Sequence, residues 1–81
     1  MIDNIKLIDP TILLADGFDD CLIGLTFRNK ELVALYSSEK IIAKLTKDMP
    51  EDEAEEFFMY NIENAYMGAK TPEYFWNYYD D

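Results

Sequence analysis

The stretch from Asp48 to Glu63 limits what this chain can fold into more than any other. It carries seven carboxylates (Asp48, Glu51, Asp52, Glu53, Glu55, Glu56 and Glu63) and no basic residue. Ala54, Phe57, Phe58 and Ile62 run through it at helical spacing, and Ala65 follows. An amphipathic helix sorts such a segment, with its apolar stripe against the protein and its acids toward water. Pro50 suits the first position of that helix, where its missing N–H costs nothing. The acids at 51–56 then crowd the positive end of the helix dipole. The pattern predicts a helix running to about Met67, with Gly68 as its C′ residue. Asn61 falls in the middle of the stripe, so it is expected to be a buried amide, tied to a neighbouring backbone or facing a cleft. Tyr66 shares both readings: it can bury its ring and send its hydroxyl to the edge, or face a cleft.

Upstream, Cys21–Phe27 and Glu31–Tyr36 are apolar, β-rich runs joined by Arg28-Asn29-Lys30, a length that suits a hairpin loop. Both runs are apolar on both pleat faces, which predicts partial cover on each side. Gly24, in mid-strand, suggests close approach of another backbone. Ser37-Ser38 offers an N-cap to a first helix over Ser38–Asp48. Its face is Ile41, Ile42, Leu45 and Met49, with Lys40, Lys44 and Lys47 turned away. Ile5–Leu14 is broken by Asp9-Pro10, so any strand there is short or at an edge. After Thr71-Pro72, Glu73–Tyr79 reads as a last strand, with either Tyr74, Trp76 and Tyr78 or Phe75 and Tyr79 outermost. The expected architecture is an α+β fold in one domain, residues 1–81. A β-hairpin is followed by two consecutive helices and a C-terminal strand that returns to the sheet, the helices packing on one face of a small sheet.

At 81 residues such a domain buries only about 60% of its unfolded surface, which leaves modest room for an internal pocket. The net charge of −10, from 17 acids against 7 bases, argues against direct nucleic-acid binding and against docking on anionic lipid. No apolar run approaches the roughly 20 residues of a membrane span. Met1-Ile2-Asp3-Asn4 lacks the basic start of a signal peptide, so the cytoplasm is the expected compartment. With one cysteine there is no internal disulfide, and Cys21, among apolar neighbours, reads as a core residue.

The absence of histidine removes His-activated nucleophiles and, with a single cysteine, a zinc site. Glycines at 17, 24 and 68 stand too far apart for a phosphate loop. Asp16, Asp19 and Asp20 form the only tight carboxylate cluster in a loop. Their spacing is not that of a calcium loop, and they read as a capped turn or a contact for a basic partner. No catalytic residue, cofactor site or metal ligand is assigned.

What is left is recognition of a protein partner with a basic surface. The candidate contacts are Asp16, Asp19 and Asp20 in the loop, Glu51, Asp52, Glu55 and Glu56 on the helix, Asn61 and Tyr66 on the stripe, and Trp76 and Tyr78 on the last strand. Exposed Trp and Tyr are common interface anchors. Two other classes stay open: a structural, self-assembling protein such as a homodimer joined through the C-terminal strand edge, and a small enzyme or ligand-binding protein using Asn61, Tyr66 and the carboxylates. Acidity for solubility alone also accounts for the charge.

Four segments carry a resemblance. They are Asp16-Gly17-Phe18-Asp19-Asp20-Cys21-Leu22-Ile23-Gly24, Val33-Ala34-Leu35-Tyr36, the run Glu55-Glu56-Phe57-Phe58-Met59-Tyr60-Asn61-Ile62-Glu63-Asn64-Ala65-Tyr66-Met67-Gly68, and Thr71-Pro72. Together, over residues 12 to 76, they resemble a family of small proteins of tailed bacteriophages and integrated prophages. The tail Asn77–Asp81 is longer than that pattern. The resemblance implies an intracellular phage protein, with no activity, cofactor or catalytic residue attached. The expected function is therefore that of a small acidic accessory protein that modulates or inhibits a host or phage protein. Its sharpest form is a DNA mimic, whose carboxylates stand in for phosphates.

Overall fold

Asn29 and Lys30 both have positive φ, 52° and 70°, the conformation a type I′ hairpin turn requires. In the computed structural model, which describes residues 2–77, this turn joins β1 (Leu22–Arg28) to antiparallel β2 (Glu31–Ser37). Arg28 belongs to the ladder, opposite Glu31, so the loop is one residue tighter than its sequence suggests. Gly24 marks an irregularity in the register between Leu22 and Gly24. A Cβ built on Gly24 would meet nothing within 4 Å, so the close approach expected there is absent. The register shift instead leaves Ile23 as the unpaired residue of a bulge, with Gly24 next to it and paired to Leu35.

β3 (Glu73–Phe75) lies parallel to β2, with Tyr74 opposite Tyr36 and Phe75 opposite Ser37. The order β1-β2-β3 leaves β1 as a seven-residue outer strand. The last strand is shorter than the expected Glu73–Tyr79, and Tyr78 and Tyr79 lie outside the described residues. The register puts Leu25, Leu32, Ala34, Tyr36 and Tyr74 on one pleat face, and all five belong to or pack against the core cluster. Tyr36 is fully buried there, and its hydroxyl oxygen accepts the Ala15 N–H at 2.8 Å. On the opposite face Val33 is also fully buried, in keeping with a hairpin covered on part of both sides.

The N-terminal segment departs from expectation. Ile2–Ile8 is a helix, α1, where the sequence reading allows at most a short or edge strand from Ile5 onward. Ile5, buried in the core, anchors it, and this tertiary contact overrides a weak strand propensity. The Asp9 N–H still bonds the Ile5 carbonyl at 3.0 Å. The chain then turns: the Asp9 carboxylate accepts the Thr11 N–H and hydroxyl, and Lys6 Nζ reaches the Ile12 carbonyl at 2.7 Å. Gly17 (φ 86°) and a 3-10 turn over Asp19–Cys21 lead into β1, with Cys21 buried as expected.

Ser37 caps α2 (Ser38–Leu45), its Oγ accepting the Lys40 N–H at 3.2 Å. The helix stops short of Asp48, in a turn where the Thr46 hydroxyl bonds the Ala43 carbonyl. Pro50 flanks α3 (Glu51–Phe57), its carbonyl accepting the Ala54 N–H at 2.9 Å. From Phe58 to Glu63 the helix widens into a π turn, with i→i+5 bonding. It ends there, short of Met67. Gly68 (φ 110°) belongs to a separate turn, in which Thr71 Oγ1 accepts the Met67 N–H and donates to the Gly68 carbonyl, both at 2.7 Å. Ile41, Ile42, Ala54 and Phe58 bring α2, α3 and the π turn together over the core face of the sheet.

Candidate functional site

The site begins with how the π turn changes the phase of the helix. In a regular helix of 3.6 residues per turn, Asn61 would lie between Phe57 and Phe58, close to the line of Ala54 on the buried side. The wider turn advances less per residue. Asn61 therefore falls back beside Phe57, and Ile62 takes the inward position. Ala54 and Phe58 are fully buried and Ile62 packs on the core, whereas Asn61 is exposed, correcting the expected buried amide. Phe57, expected on the stripe, is 42% exposed, and Tyr60 is 71% exposed. Met49, Glu53, Phe57 and Asn61 form one row, Glu56 and Tyr60 the next, and together they line a groove of about 400 Å³.

Glu51, Asp52, Glu55 and Glu56 are all exposed on the same element. Among the described residues the ion pairs are Arg28–Glu73, Lys44–Asp20, Lys70–Asp9 and Lys70–Glu31, between 2.9 and 3.3 Å. None draws on an α3 acid. Asp52 accepts the N–H of Glu53 at 2.9 Å, a local bond at the dipole's positive end. Glu51 and Glu55 also border a second cleft, of about 270 Å³, with Glu39 and Trp76.

Trp76 is half-buried. Its ring stands edge-on to Phe58, centroids 5.5 Å apart, and its Nε1–H donates to Glu63 Oε2 at 2.8 Å. Of the alternating strand residues, Tyr74 and Trp76 pack inward and Phe75 is exposed. Tyr78 lies outside the described residues. Of the two readings open for Tyr66, the buried ring is not the one found: Tyr66 is 77% exposed, because the chain has left the helix before it. It borders another cleft, of about 280 Å³, with Arg28, Glu63 and Tyr74. Asn61 and Tyr66 thus line separate depressions and do not converge as a ligand site would require.

The Asp16–Asp20 loop is a different environment. Asp16 and Asp19 are exposed, but Asp20 is tied to Lys44 at 3.0 Å, and that bond holds its carboxyl below the ordinary range. Lys44 also donates to the Gly17 carbonyl and lies over the Phe18 ring. With Lys40 and Lys47 nearby, this surface mixes both signs. Burial, with Asp20 beside it, pushes the Cys21 thiol up, away from the thiolate a nucleophile needs. Among the described residues no group of three or more Cys, Asp or Glu could hold a metal ion, and no helix is long and apolar enough to cross a membrane.

Met49, Glu53, Phe57 and Tyr60 are the groove residues that sequence reasoning did not single out. Their signal is the i, i+4 row 49-53-57-61, which runs beside the buried row 54-58-62. No family model, curated protein or solved structure matches the chain.

Proposed function

We propose that this chain is a non-enzymatic protein-binding module whose acidic helical face engages a basic surface on a partner protein. One observation carries the reading: the exposed acids of α3 have no ion-pair partner among the described residues, while Asp9, Asp20, Glu31 and Glu73 are each paired with a base. A one-signed surface of this kind speeds encounter with an oppositely charged partner and rejects nucleic acid and anionic lipid. The likeness to small phage proteins supports a bacterial cytoplasmic setting and a role as an accessory protein that modulates or inhibits a host or phage protein. In its sharpest form the carboxylates occupy a protein's DNA-binding groove.

The test is capture of partners from bacterial lysate by the tagged protein at low and high salt. A basic protein should be recovered at low salt and lost at high salt, where exposed charges are screened. It should also be lost when Glu51→Gln, Asp52→Asn, Glu55→Gln and Glu56→Gln are combined. Recovery unaffected by salt and by those substitutions would overturn the reading. A solution mass above that of the monomer, with no partner recovered, would favour the self-assembling alternative.

A further inference from the structure

We infer that the groove along Phe57 and Tyr60 receives a basic, amphipathic α-helical segment of the partner. The inference rests on the acidic-face reading and adds to it the shape and anchor chemistry of what docks there. Met49, Phe57 and Tyr60 supply an apolar floor, and Glu53 and Glu56 stand beside it. Phe57 and Tyr60 are large, exposed and adjacent, the composition of an interface hot spot. Neither glutamate has an ion-pair partner among the described residues. A matching segment therefore places large apolar residues at i, i+3 or i+4 and i+7 on the floor, with Lys or Arg flanking them.

Other occupants fit less well. The groove is built mainly on helical rather than strand backbone, so it offers side chains and no edge for an added strand. A second copy of this chain brings the same net charge of −10. Its lysine-bearing helix, α2, already spends its apolar face, Ile41 and Ile42, in the core. An anionic lipid surface meets the same carboxylates.

The probe is a fluorescein-labelled peptide of Leu and Lys about two heptads long, with Leu at core spacing. It is compared with a scrambled peptide of the same composition and with oligolysine of equal charge. Binding is read by fluorescence polarisation and by amide chemical-shift mapping. The amphipathic peptide should bind at least about tenfold tighter than either control, a difference of about 1.4 kcal/mol. Its shifts should centre on Met49, Glu53, Phe57, Tyr60 and Asn61. Tyr60→Ser, at an exposed position, should weaken it severalfold without changing the melting temperature, and Phe57→Ala combined with Tyr60→Ser should weaken it further. Equal binding of all three peptides, shifts centred on Glu51, Asp52 and Glu55, or wild-type binding by Tyr60→Ser would overturn the groove and leave the acidic-face reading standing. If none of the three binds at low salt, both fall.

Discussion

Phe58 meets Tyr74 edge to face, with ring centroids 5.4 Å apart and planes at 86°. Phe58 lies in the π turn and Tyr74 in β3, so this contact joins the element carrying the candidate site to the last strand. Trp76 packs on the same ring. Phe58 is fully buried, and Phe58→Ala would leave a cavity under both partners. The expected loss is about 3–5 kcal/mol, a large share of the stability of a small domain. Urea unfolding measures it; a loss below about 1 kcal/mol would contradict the packing described.

Acid stability should depend on Asp9. Its carboxylate accepts the Thr11 hydroxyl at 2.6 Å, the Lys70 ammonium at 2.9 Å and the Thr11 N–H. These bonds hold its pKa at about 2, below the ordinary 3.8. A depressed carboxylate stabilises the fold above its unfolded pKa, and that contribution is lost as the pH falls through the folded value. Wild type should therefore lose this part of its stability between pH 4 and 2. Asp9→Asn should start lower and show a shallower decline over that window, as followed by circular dichroism.

Alkali should act through Tyr74. Burial first, then Tyr36 and Glu63, push its hydroxyl up to about 12 from 10.0. Here the neutral form is favoured in the fold, so the contribution is intact below pH 10 and lost as the pH rises toward 12. Tyr74→Phe keeps the ring contacts and removes the ionisation. Its unfolding free energy should fall less steeply than that of wild type over that range.

Lys30 holds φ at 70°, a region that costs an L-residue about 1–2 kcal/mol and glycine almost nothing. Lys30→Gly gives the favoured Asn-Gly turn and should raise stability by about 0.5–1 kcal/mol. Lys30→Val should lower it. Thermal unfolding of the pair decides the sign.

The parts of the fold legible in the sequence are those governed by local chemistry. Arg28-Asn29-Lys30 between two β-rich runs announces the hairpin, though not that Arg28 joins the ladder, and Ser37-Ser38 announces the start of α2. The acids of 51–56 face water whatever kind of helix carries them, so their exposure is legible in the sequence too. α1 is not, because seven residues are too few to show a period, even with Ile5 buried in the core. The π turn has no residue code of its own, and the departures at Asn61 and Gly68 both descend from it. The groove was hidden for a related reason: Met49 enters it from a turn, and Phe57 looked like core until the phase shift was known.

β1 has a consequence for handling the protein. It is an outer strand whose residues Ile23–Phe27 carry no charge. In a ladder closed by a two-residue turn, the N–H and C=O of Leu25 and Phe27 point away from β2. Such a strand is a template for edge-to-edge pairing, and no Pro or Lys within it blocks the approach. What keeps copies apart is the surplus of acid, which makes them repel one another at neutral pH. That protection vanishes near the isoelectric point of about 4.2. Colloidal stability and fold stability are thus separate quantities here, and near that pH a still-folded chain is expected to precipitate through its sheet edge before it unfolds.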